Sequence, residues 1–539
     1  MRTCILQLII FASLATNAPA ESYELTISNK LVSVTGETVE KFAINDSIPG
    51  PTLRFTEGEQ AVIKVRNLLN ADTSIHWHGL LLPGVMDGVP GMNGFDGIKP
   101  GETFTYSFPL RQSGTYWYHA HSLGQEQDGI YGSIIVYPKI IDPIRSDRDY
   151  VVLLSEHTDE VSSEIFANLK RDSAYYNYHQ RTLLDFFGDI KEKGFFEALR
   201  YALTWGEMRM SPTDLADVSG YTFLINGKTP QENWTGIFNK GETIRLRFIN
   251  ASAMTFYDIR IPGLKMQIVQ ADGQNVKPVT VDEFRFGAAE TYDVLVTPLE
   301  DKAFTIAAES IDRTGFALAT LAPRPGMTGD IPAKRPRTLL TMADMGMSHH
   351  DESNHQHHQH QHQKGNYKSS GESGWAQAST PDGHKALNYS DLISLAPQRD
   401  TRPPTKEIEL ILDGNMERYV WTINNEVFNN AKPIQLKFNE RVRLRFINNS
   451  MMAHPMHLHG MFFQIENGQS PEWRPNKHTI IIPPGKSYSV LLTADETGEW
   501  AFHCHLLYHM LSGMMTSIVV SEESLPESKQ LIVEGHHVH

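Results

Sequence analysis

Cysteine is almost missing from this chain of 539 residues: there are two, Cys4 and Cys504. Two cysteines cannot build a disulfide framework. Positive charge is also scarce, with 48 Lys and Arg against 63 Asp and Glu, a formal net charge of −15. That balance argues against a nucleic acid held through its phosphates. No apolar run reaches the roughly 20 residues of a membrane-spanning helix, so no stable membrane anchor is expected. The N-terminus does carry a short apolar run, Cys4–Ala15, behind Arg2 and ahead of Ala18-Pro19-Ala20. This is the pattern of a secretory signal over residues 1–20, which places the mature protein in the periplasm. No twin-arginine pair is present, so export in the unfolded state is expected. Removing the leader leaves Cys504 as a lone thiol in an exported protein, and that thiol needs an explanation.

Short β-type runs separated by Gly, Pro and Asn dominate, the sign of sandwiches or barrels. In Arg441-Val-Arg-Leu-Arg-Phe446, apolar residues alternate with arginines, the period of a half-buried strand. That strand occurs three times, as Gly58–Asn67, Gly241–Asn250 and Asn439–Asn448, which align without gaps. Each follows an Asn-led turn, at Asn45, Asn226 and Asn424. A unit this long is a repeated domain, since solenoid repeats are shorter. The expected architecture is all-β: a signal peptide (1–20), three β-sandwich domains (21–145, 146–325 and 401–525) and a tail containing histidines (526–539). Leu183, Phe186, Phe187 and Ile190 follow helical spacing and predict a small helical insertion over about 162–205 in domain 2. Residues 326–400, rich in Gly, Ser, Gln, Met and His, read as a flexible linker.

The 24 histidines decide the functional reading. Ten fall in four clusters: His76-Trp-His78, His119-Ala-His121, His454-Pro-Met-His457-Leu-His459, and His503-Cys-His505 with His509. Seven crowd into His349–His362, three end the chain, and His157, His179, His384 and His478 stand alone as ordinary surface or core histidines. A His-X-His pair on a strand points both rings to one face, about 7 Å apart. Nine residues separate Asn67 from His76 and Asn448 from His457, so the two His-X-His-Gly motifs superpose. The same count in domain 2 reaches Ile259-Arg-Ile261. His119-Ala-His121 likewise superposes on His503-Cys-His505. Domains 1 and 3 therefore offer eight imidazoles to one interdomain site, with domain 2 as a spacer.

Domain 3 adds what domain 1 lacks. Cys504 faces Ala120 in the alignment, His509 faces Gln125, Met514 faces Ile130 and His454 faces Thr73. Two imidazoles, a thiolate and a weak axial thioether make the blue-copper electron-transfer set. A structural zinc site closes with four strong ligands and does no redox work. Cys504 lies between His503 and His505, so a one-electron acceptor is joined covalently to a multi-metal cluster. Four-electron reduction of O2 to water requires that combination.

On these four motifs the mature chain resembles the multicopper oxidases. Within that family it resembles the copper-resistance (CopA-type) enzymes, through Asp185-Phe-Phe187, Trp205-Gly-Glu-Met-Arg-Met210, Pro212-Thr-Asp-Leu-Ala-Asp-Val-Ser-Gly220 and the Met/His-rich linker. The resemblance implies three cupredoxin-like Greek-key β-sandwich domains and four copper ions. It implies a type 1 copper on His454, Cys504, His509 and axial Met514, and a type 2 copper on His76 and His457. It implies a type 3 pair, one ion on His78, His119 and His505 and the other on His121, His459 and His503. Asp87 matches the family's acid near the type 2 copper, with a role in supplying protons or orienting a bound water, and Glu126 is a candidate assistant. Where some relatives carry a Glu directly after the last type 1 His, this chain has Met510. The expected partners are O2 and either Cu(I) or a small aromatic donor, and a monomer is expected. The competing readings are a laccase-like oxidase of phenols, a copper-sequestering protein without turnover, and a cupin-type mononuclear enzyme. The cysteine motif and the number of histidines argue against the cupin.

Overall fold

The computed structural model describes residues 20–177, 182–207, 215–336 and 380–522. All but the last residue of the expected signal, His179, part of the 205–210 and 212–220 motifs, the Met/His tract and the tail lie outside the described residues.

The strands form six sheets, in three pairs along the chain. In domain 1 one sheet runs Val39–Ile44, Ala20–Val32, Gln60–Asn67, Thr103–Pro109, and the facing one runs Leu53–Thr56, Tyr131–Tyr137, Gly114–His119, His76–His78. Ile63, Val65 and Tyr106 from the first meet Trp77, Tyr118 and Ile134 from the second in one core. The repeated strand lies parallel to an earlier strand in every domain: Gln60–Asn67 on Ala20–Val32, Ile244–Asn250 on Arg148–His157, Arg441–Asn448 on Lys406–Asn415. Parallel neighbours need a crossover. In domain 1 the chain makes it through Leu53–Thr56 of the facing sheet, the crossed connection of a Greek-key sandwich.

The chemistry of the repeated strand explains its sequence. Val442, Leu444 and Phe446 are fully buried, each stabilising the sandwich by about 1.5–3 kcal/mol. Arg443 and Arg445 on the opposite face reach Glu407 and Glu409, their partners in register on the neighbouring strand. The domain 2 copy is buried along its whole length, because its arginines point into domain 1. Arg247 donates to Thr115 (2.9 Å) and pairs with Asp149 and Asp293.

Two asparagines per domain set the loops. Asn45, Asn226 and Asn424 take positive φ, as the two-residue hairpin turn requires. Each also brackets the strand behind it, accepting from the backbone N–H of Thr26, Leu153 or Ile411 and donating to the carbonyl of Glu24, Val151 or Glu409. The strand-closing asparagines act the same way. Asn67 donates to Ala71 and Ile98 O, Asn250 to Thr255 and Phe286 O, and Asn448 to Met452 and Ile482 O. These carboxamide bonds fix the path to the next strand, with the same nine-residue spacing to His76 and His457. In domain 2 the bond reaches Thr255, five residues on instead of four, so the loop is one residue longer and the equivalent position is Arg260 rather than Ile259.

Three helices form the insertion: α1 (Ser162–Arg171), α2 (Leu183–Lys193) and α3 (Phe195–Glu207). Thr182 and Asp185 cap α2 reciprocally. Its apolar stripe does not pack onto the sandwiches, since Leu183 and Phe187 are 78% and 62% exposed. Helices α1 and α3 pack instead, α3 through the fully buried Ala198 and through Tyr201 against the main core. Ile165 and Leu169 are buried, and Phe166 stacks on Tyr508 of domain 3. Composition reads 326–400 as a flexible linker throughout, but residues 380–400 are pinned. Ala386 bridges Glu283, Ser394 bridges Val276, Lys277 N donates to Ile393 O, and Leu392 is fully buried.

Candidate metal centre

Adjacent strands carry the histidines. His76 stands opposite His119 in one sheet, and His457 opposite His503 in its domain 3 counterpart. In domain 2 the corresponding pair is Arg260 opposite Ala307, one residue beyond the Ile259 that the nine-residue count reaches. Tyr257 opposite Phe286 there takes the place of His454 opposite Ile482. The frame recurs three times and the histidine pairs twice. Where domains 1 and 3 meet, the rings interleave: His76 stacks on His459 with centroids 3.8 Å apart, and His78 on His457 at 3.7 Å. His121, His459 and His503 converge, with Nε2–Nε2 distances of 3.4 and 3.0 Å to His503. The rings of His78, His119 and His505 lie 5.0–5.7 Å apart. All eight predicted imidazoles are thus brought together, and seven of them are buried.

The outer nitrogen of most rings is tied down by an oxygen that can only accept. His76 Nδ1 donates to Asp87 O, His119 Nδ1 to Ala120 O, His457 Nδ1 to His478 O, His503 Nδ1 to Cys504 O, and His459 Nδ1 to the Asp87 carboxylate. A neutral ring that donates through Nδ1 has a bare Nε2. Among the buried nitrogens without a partner are the Nε2 atoms of His76, His119, His457 and His505 and the Nδ1 of His78. Burial holds His78, His119, His457 and His505 neutral by pushing their pKa well down. Neutral imidazoles with bare nitrogens turned into a common space are the donor set a metal cluster needs.

Asp87 and Glu126 each tie together two of these rings. Asp87 sits 3.3 Å from His76 Nδ1 and 2.8 Å from His459 Nδ1. Gly88 permits this approach: its φ is +82°, and a Cβ there would lie 1.8 Å from Ile75 O. Glu126 is 2.9 Å from His119 Nδ1 and 4.0 Å from His505 Nδ1. Burial raises the Glu126 carboxyl well above the usual range.

A second centre lies one residue away. Cys504 Sγ is 3.5 Å from His454 Nδ1 and 3.7 Å from His509 Nδ1, and those nitrogens are 3.1 Å apart. Their outer nitrogens are also held. His509 Nε2 donates to Asp217 Oδ2 at 2.8 Å, and His454 Nε2 to Ser450 Oγ at 2.7 Å, whose own proton is directed to Asn448 Oδ1 at 2.8 Å. Met514 is fully buried and backbone-bonded to both Cys504 and His509. Burial pushes the Cys504 thiol far up; a metal held here would draw off its proton.

Sequence reasoning gave no role to Asp217, which lies 292 residues from His509, or to Ser450, four residues before His454. It also read His478 as an ordinary isolated histidine. His478 is fully buried beside the cluster, its ring 4.7 Å from His78, and burial pushes it down to about 4. Only its neighbours in space reveal it.

Residues 26–140, 205–324 and 400–524 each match a family profile described as multicopper oxidase. The chain is 44% identical to copper resistance protein A of Escherichia coli, over 94% of each chain. It is also 44% identical to a copper resistance protein A homolog of Pseudomonas syringae pv. tomato, over 93% of this chain and 92% of that protein. The laccase of Botrytis aclada superposes with a TM-score of 0.66 at 20% identity, covering 95% of this chain and 90% of that one.

Proposed function

The chain belongs to the multicopper oxidase family, and on that premise we propose that this O2-using oxidoreductase detoxifies copper. It takes single electrons from four Cu(I) ions outside the cytoplasm and, with four protons, converts one O2 to two waters. The periplasm is its proposed location and a monomer its proposed state. No helix among the described residues is long and apolar enough to cross a membrane.

Four coppers serve the family. Here His454, Cys504, His509 and Met514 would hold the type 1 ion, and His76 and His457 the type 2 ion. His78, His119 and His505 would hold one type 3 ion, and His121, His459 and His503 the other. Bound there, copper supplies one-electron exchange with the donor at the first centre and four-electron reduction of O2 at the other three. The observation that carries this reading is the Cys504 set, with its bare Nδ1 atoms, joined by peptide bonds to two imidazoles of the eight-ring cluster. The polypeptide supplies position and protons. Asp87 orients His76 and His459 through their Nδ1–H groups. Glu126, whose carboxyl burial raises well above the usual range, is placed to carry a proton at the cluster's edge, its Oε1 making no hydrogen bond among the described residues.

The surroundings of His509 favour an ion over a bulky aromatic donor. Its ring is fully buried, stacked on Trp421 at 4.0 Å, and its outer edge meets the Asp217 carboxylate. Tyr419 also donates to Asp217, and α1 is tied down alongside through Lys170 to Tyr419 O. A buried carboxylate at the point of electron entry suits a cation. The test is O2 consumption by copper-loaded protein with Cu(I) and with a phenol in parallel. Faster turnover with Cu(I) is expected. Copper binding without O2 consumption would make this a sequestering protein, and preference for the phenol would make it laccase-like.

A further inference from the structure

Thr479 lies opposite His457 in the ladder, fully buried, and three imidazoles crowd its hydroxyl. Oγ1 is 3.0 Å from His478 Nδ1, 3.2 Å from His457 Nδ1 and 3.4 Å from His78 Nε2. A threonine hydroxyl has one proton to give and two lone pairs to receive, and here all three are used. With Nδ1 as the bare nitrogen of His78, His78 Nε2–H donates to Oγ1. His457 Nδ1–H is shared between Oγ1 and His478 O at 2.9 Å. The hydroxyl proton then goes to His478 Nδ1.

The hub is anchored from domain 2. Asp272 Oδ2 accepts the backbone N–H of both His478 (3.2 Å) and Thr479 (3.0 Å). Its other oxygen meets Lys477 Nζ at 3.0 Å, and Glu290 meets the same ammonium at 3.1 Å. Domain 1 makes room: a Cβ on Gly79 would fall 2.5 Å from His478 Nε2. The equivalent glycine of domain 3, Gly460, is filled instead by Trp500. The His478–Thr479 pair therefore stands only on the His78/His457 side of the cluster.

We propose that Thr479, seated by Asp272 and paired with His478, is the positioning residue for His78 and His457, fixing which nitrogen of each ring faces the metal. The inference rests on the assignment of those two rings as copper ligands. Domain 2 supplies no ligand, yet through Asp272 it holds two of them in place. Loss of such an outer partner typically weakens metal binding 10–100-fold.

The test compares Thr479→Val, which keeps the side-chain shape and removes the hydroxyl, with Thr479→Ser, which keeps the hydroxyl. Copper retained per chain is measured after dialysis against graded chelator, together with the blue absorption and the electron paramagnetic resonance of the type 2 ion. The valine variant is expected to keep the blue absorption, to lose cluster copper at about 10–100-fold lower chelator than the parent, and to show a changed type 2 signal. The serine variant is expected to follow the parent. A valine variant matching the parent in retention and resonance overturns the proposal. So does a serine variant that fails as fully as valine, since packing alone would then be responsible. A parent protein that takes up fewer than four coppers overturns the ligand assignment instead, and the parent's own stoichiometry separates the two failures.

Discussion

Glu156 ends a central strand of domain 2 as a carboxyl only 5% exposed. Oε1 accepts from Met254 N at 2.9 Å, while Oε2 has no partner among the described residues. Burial, reinforced by Glu126 and Asp312 and partly offset by hydrogen bonds from Thr255 and Met254, pushes it up to about 8. An unfolded chain releases the same proton near pH 4.5. Between those values the folded state binds more protons, so stability falls as pH rises. The slope approaches about 1.4 kcal/mol per pH unit, which amounts to about 3–4 kcal/mol between pH 5 and 8. Glu156→Gln keeps the acceptor for Met254 and cannot ionise. Denaturant unfolding of the copper-free proteins should show the variant gaining that amount on the parent as pH goes from 5 to 8, in the transition that unfolds domain 2. Midpoints that keep a constant separation across the range would refute the reasoning.

Cys504→Ser should abolish the intense visible absorption, which needs a copper–thiolate bond, while the chain still binds three coppers; surviving blue colour would sink the type 1 assignment. His457→Ala should leave the blue band and stop O2 reduction, because every type 1 ligand is spared, and oxygen-electrode turnover at the parent's rate would contradict it. Ile259→Ala, on the core face of the corresponding strand of domain 2, should cost about 2–5 kcal/mol of stability in thermal unfolding and leave both copper spectra unchanged. Deleting Met342–His362 should lower Cu(I) oxidation at limiting copper and spare turnover of a phenol, as thioethers are soft ligands suited to Cu(I); equal losses on both donors would leave the tract as a linker.

The cluster was legible in the sequence because its residues obey a count. The asparagine that closes the repeated strand reaches the carbonyl four residues on in domains 1 and 3, so nine residues lead to the same place in the facing sheet in both. In domain 2 it reaches five residues on, and the count falls one short of the equivalent Arg260. Burial alternation along Arg441–Asn448 was legible for the same reason, since strand period is a local property. The outer partners of the rings obey no count. Asp217 reaches His509 across 292 residues, and Asp87 reaches His459 across 372. Asp87 was found through a family pattern; Asp217 lies in the 212–220 motif but nothing there tied it to His509, and His478 and Thr479 had no pattern at all. The stripe of α2 was correctly helical, but periodicity says which residues share a face and not whether anything covers it. The 380–400 segment looked loose because its composition is polar, while a few backbone bonds to domains 2 and 3 suffice to hold it.

His121 and His503 touch across 382 residues of chain, and that separation has a consequence for how the protein is made. A ribosome adding about 5–20 residues per second takes roughly 20–80 seconds to go from one to the other. Throughout that interval an unfinished chain owns four histidines of a site it cannot complete, open to whichever divalent ion arrives first. Passage through the membrane as an unfolded thread, ahead of any metal, would keep that half-site empty until its other half exists.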